Sequence, residues 1–94
     1  MELGKVVGQV VSTVRDSGLP NLTLLLVDIV DKDGNVVFGS QVAADTIGAG
    51  EGELVLLVRG SSARVIMEAA TPVDLSIVGI IDQVTSGKKA IYTK

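Results

Sequence analysis

"LTLLLVDIVDKDGNVVFGSQVAA", Leu22 to Ala44, is the stretch on which the fold turns. Two runs rich in β-branched and aliphatic residues, Leu22–Val30 and Val36–Ala44, flank "DKDGN", Asp31 to Asn35. Strand formers on both sides of a short turn, in which Gly34 and Asn35 can take positive φ, predict a β-hairpin. The turn is exposed on this reading, and Gly34 is expected to tolerate substitution. In the first run Leu22, Leu24, Leu26, Asp28 and Val30 share one face and Thr23, Leu25, Val27 and Ile29 the other. Both faces are mostly apolar, although a small antiparallel barrel can bury only one face of each strand by itself.

Outward from the hairpin, "KVVGQVVSTV" (Lys5–Val14) is a valine-rich strand with a glycine inside it, and "DSGLPN" (Asp16–Asn21) collects turn formers. Downstream, "ELVLLVR" (Glu53–Arg59) is a fourth strand, again apolar on both faces. "SSARVIMEAA" (Ser61–Ala70) reads as a short helix that Ser61 or Ser62 caps and Thr71–Pro72 stops. "VDLSIVGIIDQV" (Val73–Val84) is the last long strand, and the tail Thr85–Lys94 is weakly specified. The expected fold is all-β: one domain, residues 1–94, forming a small five-stranded antiparallel OB-like barrel with one short helix between strands 4 and 5. Gly8, Gly39 and Gly79 fall where closure needs sharp bends.

Composition narrows the chemistry. The 94 residues contain no Cys and no His, which removes disulfides, thiolates, soft-metal ligands and the commonest general base. A net charge of −3, one Phe and one Tyr offer neither a basic stripe nor stacking platforms, so nucleic acid is not an expected partner. No apolar run approaches the ~20 residues of a membrane helix, and the first residues do not form a secretory signal. The expectation is a soluble, cytoplasmic protein. Apolar content of 47% and a mean hydropathy of +0.51 are high for so short a chain. With only one short helix to cover the second strand faces, a neighbouring subunit is the simplest cover.

Motifs that resemble ligand sites fail on spacing. "GAGEG" (Gly48–Gly52) precedes a strand, not a helix, and lacks the third glycine of a dinucleotide loop, where Glu53 stands. "TSGKK" has neither the upstream glycine nor the hydroxyl of a phosphate loop and reads as a solvated turn. "DIVDKDGN" would need calcium ligands at Ile29 and Ser40, where acids should be. Asp45, Glu51 and Glu53 are paired carboxylates without a base, nucleophile and orienting group together, so no enzyme and no cofactor are expected. "GSSAR" (Gly60–Arg64) combines small residues that allow close approach of another backbone with an arginine able to donate across a seam.

With "LGKVVGQVVST", "DTIGAGEGELVLL", "GSSAR" and "PVDLSIVGIIDQV" in this order, the chain resembles the EutN/CcmL family of bacterial microcompartment vertex proteins from about Met1 to Val84. The resemblance implies a homopentamer of small β-barrels that plugs fivefold vertices of a cytoplasmic protein shell, beside hexameric shell proteins. It places the glycine segment, Gly48, Ala49, Gly50, Glu51 and Gly52, and the serine-arginine turn, Gly60, Ser61, Ser62, Ala63 and Arg64, at the packed centre and seams of the pentamer, with the glycines letting neighbouring backbones crowd around the axis and Glu51 near it. The alternative that the residues leave open is an OB-like nucleic-acid or ligand-binding module.

Overall fold

The structure, a computed structural model, describes residues 1–13, 22–60 and 73–94. Among them are β1 (Glu2–Val10), β2 (Thr23–Val30), β3 (Val36–Asp45), β4 (Leu54–Arg59), β5 (Leu75–Ile80), β6 (Gln83–Ser86) and β7 (Lys89–Thr93). The first five close a barrel in the order β1-β2-β3-β5-β4, that of an OB barrel, while β6 and β7 form a separate two-stranded sheet. Four seams are antiparallel; the β3–β5 seam, Ala44↔Ser76 and Asp45↔Ile77, is parallel. The helix expected over Ser61–Ala70 lies outside the described residues.

The first and last long strands depart most from the sequence reading. β1 begins at Glu2 rather than Lys5, because its first residues pair with β4 as Glu2↔Leu57 through Lys5↔Leu54. The long strand expected over Val73–Val84 stops at Ile80, and the tail is a hairpin, not an unspecified end. Ile81 N still donates to Leu54 O (2.9 Å), after which β6 leaves the barrel.

The expected turn is present. Asp31 and Asn35 close it through Asp31 N to Asn35 O (2.9 Å), and Asp31 Oδ1 accepts from Asn35 N and Asp33 N, both at 2.9 Å. The Asn35 N–H, ahead of the Asp33 N–H, holds the Asp31 carboxyl below its usual 3.8 against a desolvation that raises it. Asp31 is thus a turn former. Gly34 takes φ 85° and Asn35 does not, so Gly34 is not the tolerant position that exposure alone implied. "TSGKK" is the turn of the β6–β7 hairpin.

The barrel interior is filled by Val6, Leu25, Val27, Ile29, Ala43, Val55, Leu57, Leu75 and Ile77. These are alternate residues on each strand, as a period of two demands. Gly8, Gly39 and Gly79 each sit at a register shift, between Val6/Gly8, opposite Val27/Ile29 and opposite Leu56/Leu57. Those shifts are the bends that let a short sheet curl shut. Gly4 has a different reason. A Cβ there would stand 2.5 Å from Leu57 Cδ1, and Leu57 is fully buried and cannot swing away.

Gly4→Ala is therefore expected to lose about 1–3 kcal/mol by overpacking. Gly8→Ala, whose nearest non-adjacent atom would be 3.8 Å away, should be neutral or slightly stabilising. Urea unfolding of both variants at one protein concentration checks the pair; equal losses would mean that Leu57 yields.

Candidate functional site

The outer sheet face divides into a covered end and an uncovered middle. At the end, Val10↔Leu24↔Ala44 form a row across β1, β2 and β3. Leu24 and Ala44 are buried there against Val73, with Val10 and Leu22 packed alongside. The chain covers this part itself, so the cover expected from a neighbouring subunit is not needed here. One row further along, Gly8↔Leu26↔Val42 has no such cover: Val42 is 47% exposed and Leu26 half-buried. Further along β3, where alternate residues belong to opposite faces of the strand, Val36, Val37 and Phe38 are 59%, 66% and 62% exposed. Consecutive large apolar residues this exposed mark a contact surface rather than ordinary scatter.

The glycine segment is a loop, Thr46–Glu53, joining β3 to β4 and held by two carboxylates. Asp45, buried at the end of β3, accepts from Ile47 N (3.0 Å) and Gly48 N (3.2 Å) at Oδ1 and from Ala49 N (2.9 Å) at Oδ2. Glu53 Oε1 accepts from Gly50 N, Glu53 N donates back to Gly50 O (3.1 Å), and Gly52 N reaches Val6 O (2.8 Å). Ala49 tucks against the barrel core, while Gly48, Gly50, Glu51 and Gly52 are exposed. Gly48 and Gly52 stand at φ 85° and 89° with open space where a Cβ would lie. Backbone conformation, not crowding within the chain, requires glycine there. The amides of Gly48, Ala49, Gly50 and Gly52 all have partners in the chain, so the loop does not present the row of free N–H groups that cradles a phosphate.

The chain's last residue holds this loop from the far side. Lys94 Nζ lies 2.7 Å from Glu53 Oε2, and Lys94 N donates to Asp82 O (2.7 Å). The bond from Lys94, then that from Gly50 N, holds the Glu53 carboxyl below its usual 4.5, and Glu53 in turn raises Lys94 above 10.5. Sequence reasoning grouped Asp45 and Glu53 as a carboxylate pair and missed their work. An Asp followed by "TIGAG" is the Asx-turn signal that could have found the first. Nothing local marks Lys94, which is 41 residues from its partner.

Of the other predicted positions, Gly60 closes β4, its N donating to Asp74 O (2.7 Å). Ser61, Ser62, Ala63 and Arg64 lie outside the described residues. Of that second group only Gly60 is described: it follows β4 whereas the glycine loop precedes it, about 20 Å away for a six-residue strand.

Fold and surface define a class first: an OB-type barrel with exposed apolar residues along β3 and a glycine loop whose amides are bonded within the chain. Comparison with known proteins gives the family. The family described as "Ethanolamine utilisation protein EutN/carboxysome" matches residues 1–82. The bacterial microcompartment shell vertex protein EutN of Escherichia coli is 50% identical over 95 aligned residues, covering the whole of both chains. The carboxysome shell vertex protein CcmL of a Nostoc species is 44% identical, over all of this chain and 95% of that one. Among solved structures, an EutN superposes with a TM-score of 0.92 at 49% identity, covering 100% and 99% of the two chains. The GrpN pentameric microcompartment shell protein from Rhodospirillum rubrum gives 0.82 at 41%, covering 92% and 100%. The chain belongs to the EutN/CcmL family. It is a structural protein of a bacterial microcompartment shell within the cytoplasm, not an enzyme.

Asp45→Ala is expected to destabilise by about 1.5–3 kcal/mol, since three N–H groups lose one charged acceptor, measured by urea unfolding. For the tail contact the sign follows from both partners. Glu53, depressed, contributes above its usual 4.5 and loses that contribution as pH falls through its folded value. Lys94, raised, contributes below 10.5 and loses it as pH climbs above. Lys94→Met should return the Glu53 carboxyl toward 4.5 in an NMR titration and speed amide exchange over residues 47–52. An unmoved Glu53 titration would show that the ion pair does not form.

Proposed function

We propose that this chain, as one 94-residue domain, forms a homopentamer that caps the vertices of a bacterial microcompartment shell. The observation that carries the reading is full-length identity of 50% to a protein named as a shell vertex protein. Pentameric shell proteins among its structural neighbours support the ring size. Its partners in the shell are further copies of itself and hexameric shell proteins, whose flat layer a fivefold plug would close.

The exposed apolar side chains give the ring its driving force, and their size limits it. Burying the exposed half of Val36, Val37, Phe38 and Val42 gives roughly 1 kcal/mol each. That is about 4 kcal/mol per seam, at the low end of the ~4–15 kcal/mol that association costs. A closed ring holds each subunit by two seams, which favours the complete pentamer over open pairs. The remainder falls to polar and loop contacts. In this proposal Gly48, Ala49, Gly50, Glu51 and Gly52 face the fivefold axis, with the Glu51 carboxylates surrounding it. Gly60, Ser61, Ser62, Ala63 and Arg64 form the seam at the other end of β4, Arg64 donating across it.

Native mass spectrometry of the purified protein is expected to show a discrete pentamer; a stable monomer at micromolar concentration, or a hexamer, would remove the vertex reading. Arg64→Ala should raise the fraction of dissociated chains on dilution, because stranding one partner of a desolvated charge pair costs about 3–5 kcal/mol. Arg59 is the control: its pair with Glu2 (2.9 Å) is exposed and intramolecular and is worth less than about 1 kcal/mol. If both alanine variants dissociate like the wild type, Arg64 is not at a seam.

A further inference from the structure

Among the described residues, two β elements have an unpaired edge. On one side β3 pairs with β2 along its length, from Thr23↔Asp45 to Val30↔Val36. On the other it pairs with β5 only at Ala44 and Asp45. Among the described residues, Val36–Val42 is therefore an open edge of seven residues. A bulge turns this half of β3 outward. Gly39 and Ser40 oppose the single residue Asp28, Ser40 is held at φ 58°, and Asp28 Oδ1 accepts from Ser40 N (2.9 Å). A long, apolar, exposed edge is a ready template for another strand.

The second element is the β6–β7 hairpin, whose strands pair, among the described residues, only with each other. A lone two-stranded ribbon is marginal in water and gains by adding to a sheet. Its own β3 edge is not within its reach. Ile91 and Tyr92 of β7 line a cleft of about 200 Å³ whose other walls are Lys5, Val30, Leu54 and the Asp31–Gly34 turn. That places the hairpin on the β1 and β4 flank of the β2–β3 ribbon, whereas the open edge is on the opposite flank.

We propose that the β6–β7 hairpin of one copy adds as a strand pair to the open Val36–Val42 edge of the next. The inference rests on the ring proposed above and names the contact that closes it. Two different, complementary patches on opposite flanks make a head-to-tail interface, which propagates around a ring and pairs the Val36–Val42 edge of every copy. It also gives the tail a function: Lys94, by holding Glu53 and Asp82, fixes the hairpin where the neighbour meets it.

The chain has no cysteine, so introduced pairs report unambiguously. The experiment oxidises Val37→Cys/Ala90→Cys and Phe38→Cys/Ile91→Cys double variants, each first weighed by native mass spectrometry under reducing conditions. Expected is a non-reducing gel ladder ending at five covalently joined chains from at least one pair and from none of the single variants. Reduced double variants that are pentameric yet yield only monomer bands after oxidation overturn the proposal and leave the pentamer standing. A wild-type chain that is not pentameric overturns both. Should the variants fail to assemble, amide exchange on the wild-type pentamer decides. Protection over residues 36–42 matching that of β2 supports strand addition, and exchange about tenfold or more faster than in β2 overturns it.

Discussion

A barrel of five short strands has one inside, and this chain carries enough apolar residues for more than that. The rest of the structure follows from how the surplus is handled. On β2, Leu25, Val27 and Ile29 fill the interior, and Leu24 is sealed by Ala44 and Val73 at one end of the outer face. Leu26, with Val42 beside it, is left facing outward, and Val36–Phe38 extend the same apolar character along β3. Gly8 lies on the same row, opposite Leu26, with room beside it. A monomer with this surface would be at risk of aggregation; a closed ring uses it.

The glycine loop has a similar logic in polar terms. A segment so rich in glycine could present its amides to an anion, but Asp45 and Glu53 occupy them from within the chain. What remains outward is the glycine backbone with the exposed side chains of Thr46, Ile47 and Glu51. Such a surface suits close approach of identical loops around an axis, where bulk is costly and each like charge is repeated. The ion pair from Lys94 links that loop to the tail hairpin within each subunit.

Much of this was legible in the residues. The β2–β3 hairpin could be read because its turn is built from local chemistry, Asp31 bonding to residues two and four places on. Closure could be read from glycines interrupting apolar strands, and each one stands at a register shift. What could not be read depends on partners distant in sequence. β6 and β7 are too short and polar to announce themselves, the parallel β3–β5 seam rests on two residue pairs, and Ser40 adopts positive φ under the hold of Asp28, twelve residues away. The self-covered row at Leu24 was hidden for the same reason, since it needs Val73. Of the predicted site, Gly48–Gly52 form one loop and Gly60 stands at the far end of β4, a separation that adjacency in sequence conceals.

The central claim is that the uncovered middle of the outer sheet face is an assembly surface and not a tolerated blemish. Sedimentation velocity of Val42→Glu, with circular dichroism to confirm that the barrel is intact, tests it most directly. Val42 points away from the core, so the variant should fold as the wild type does while sedimenting as a monomer at concentrations where the wild type is a ring. A folded Val42→Glu protein that sediments like the wild-type assembly would contradict the account.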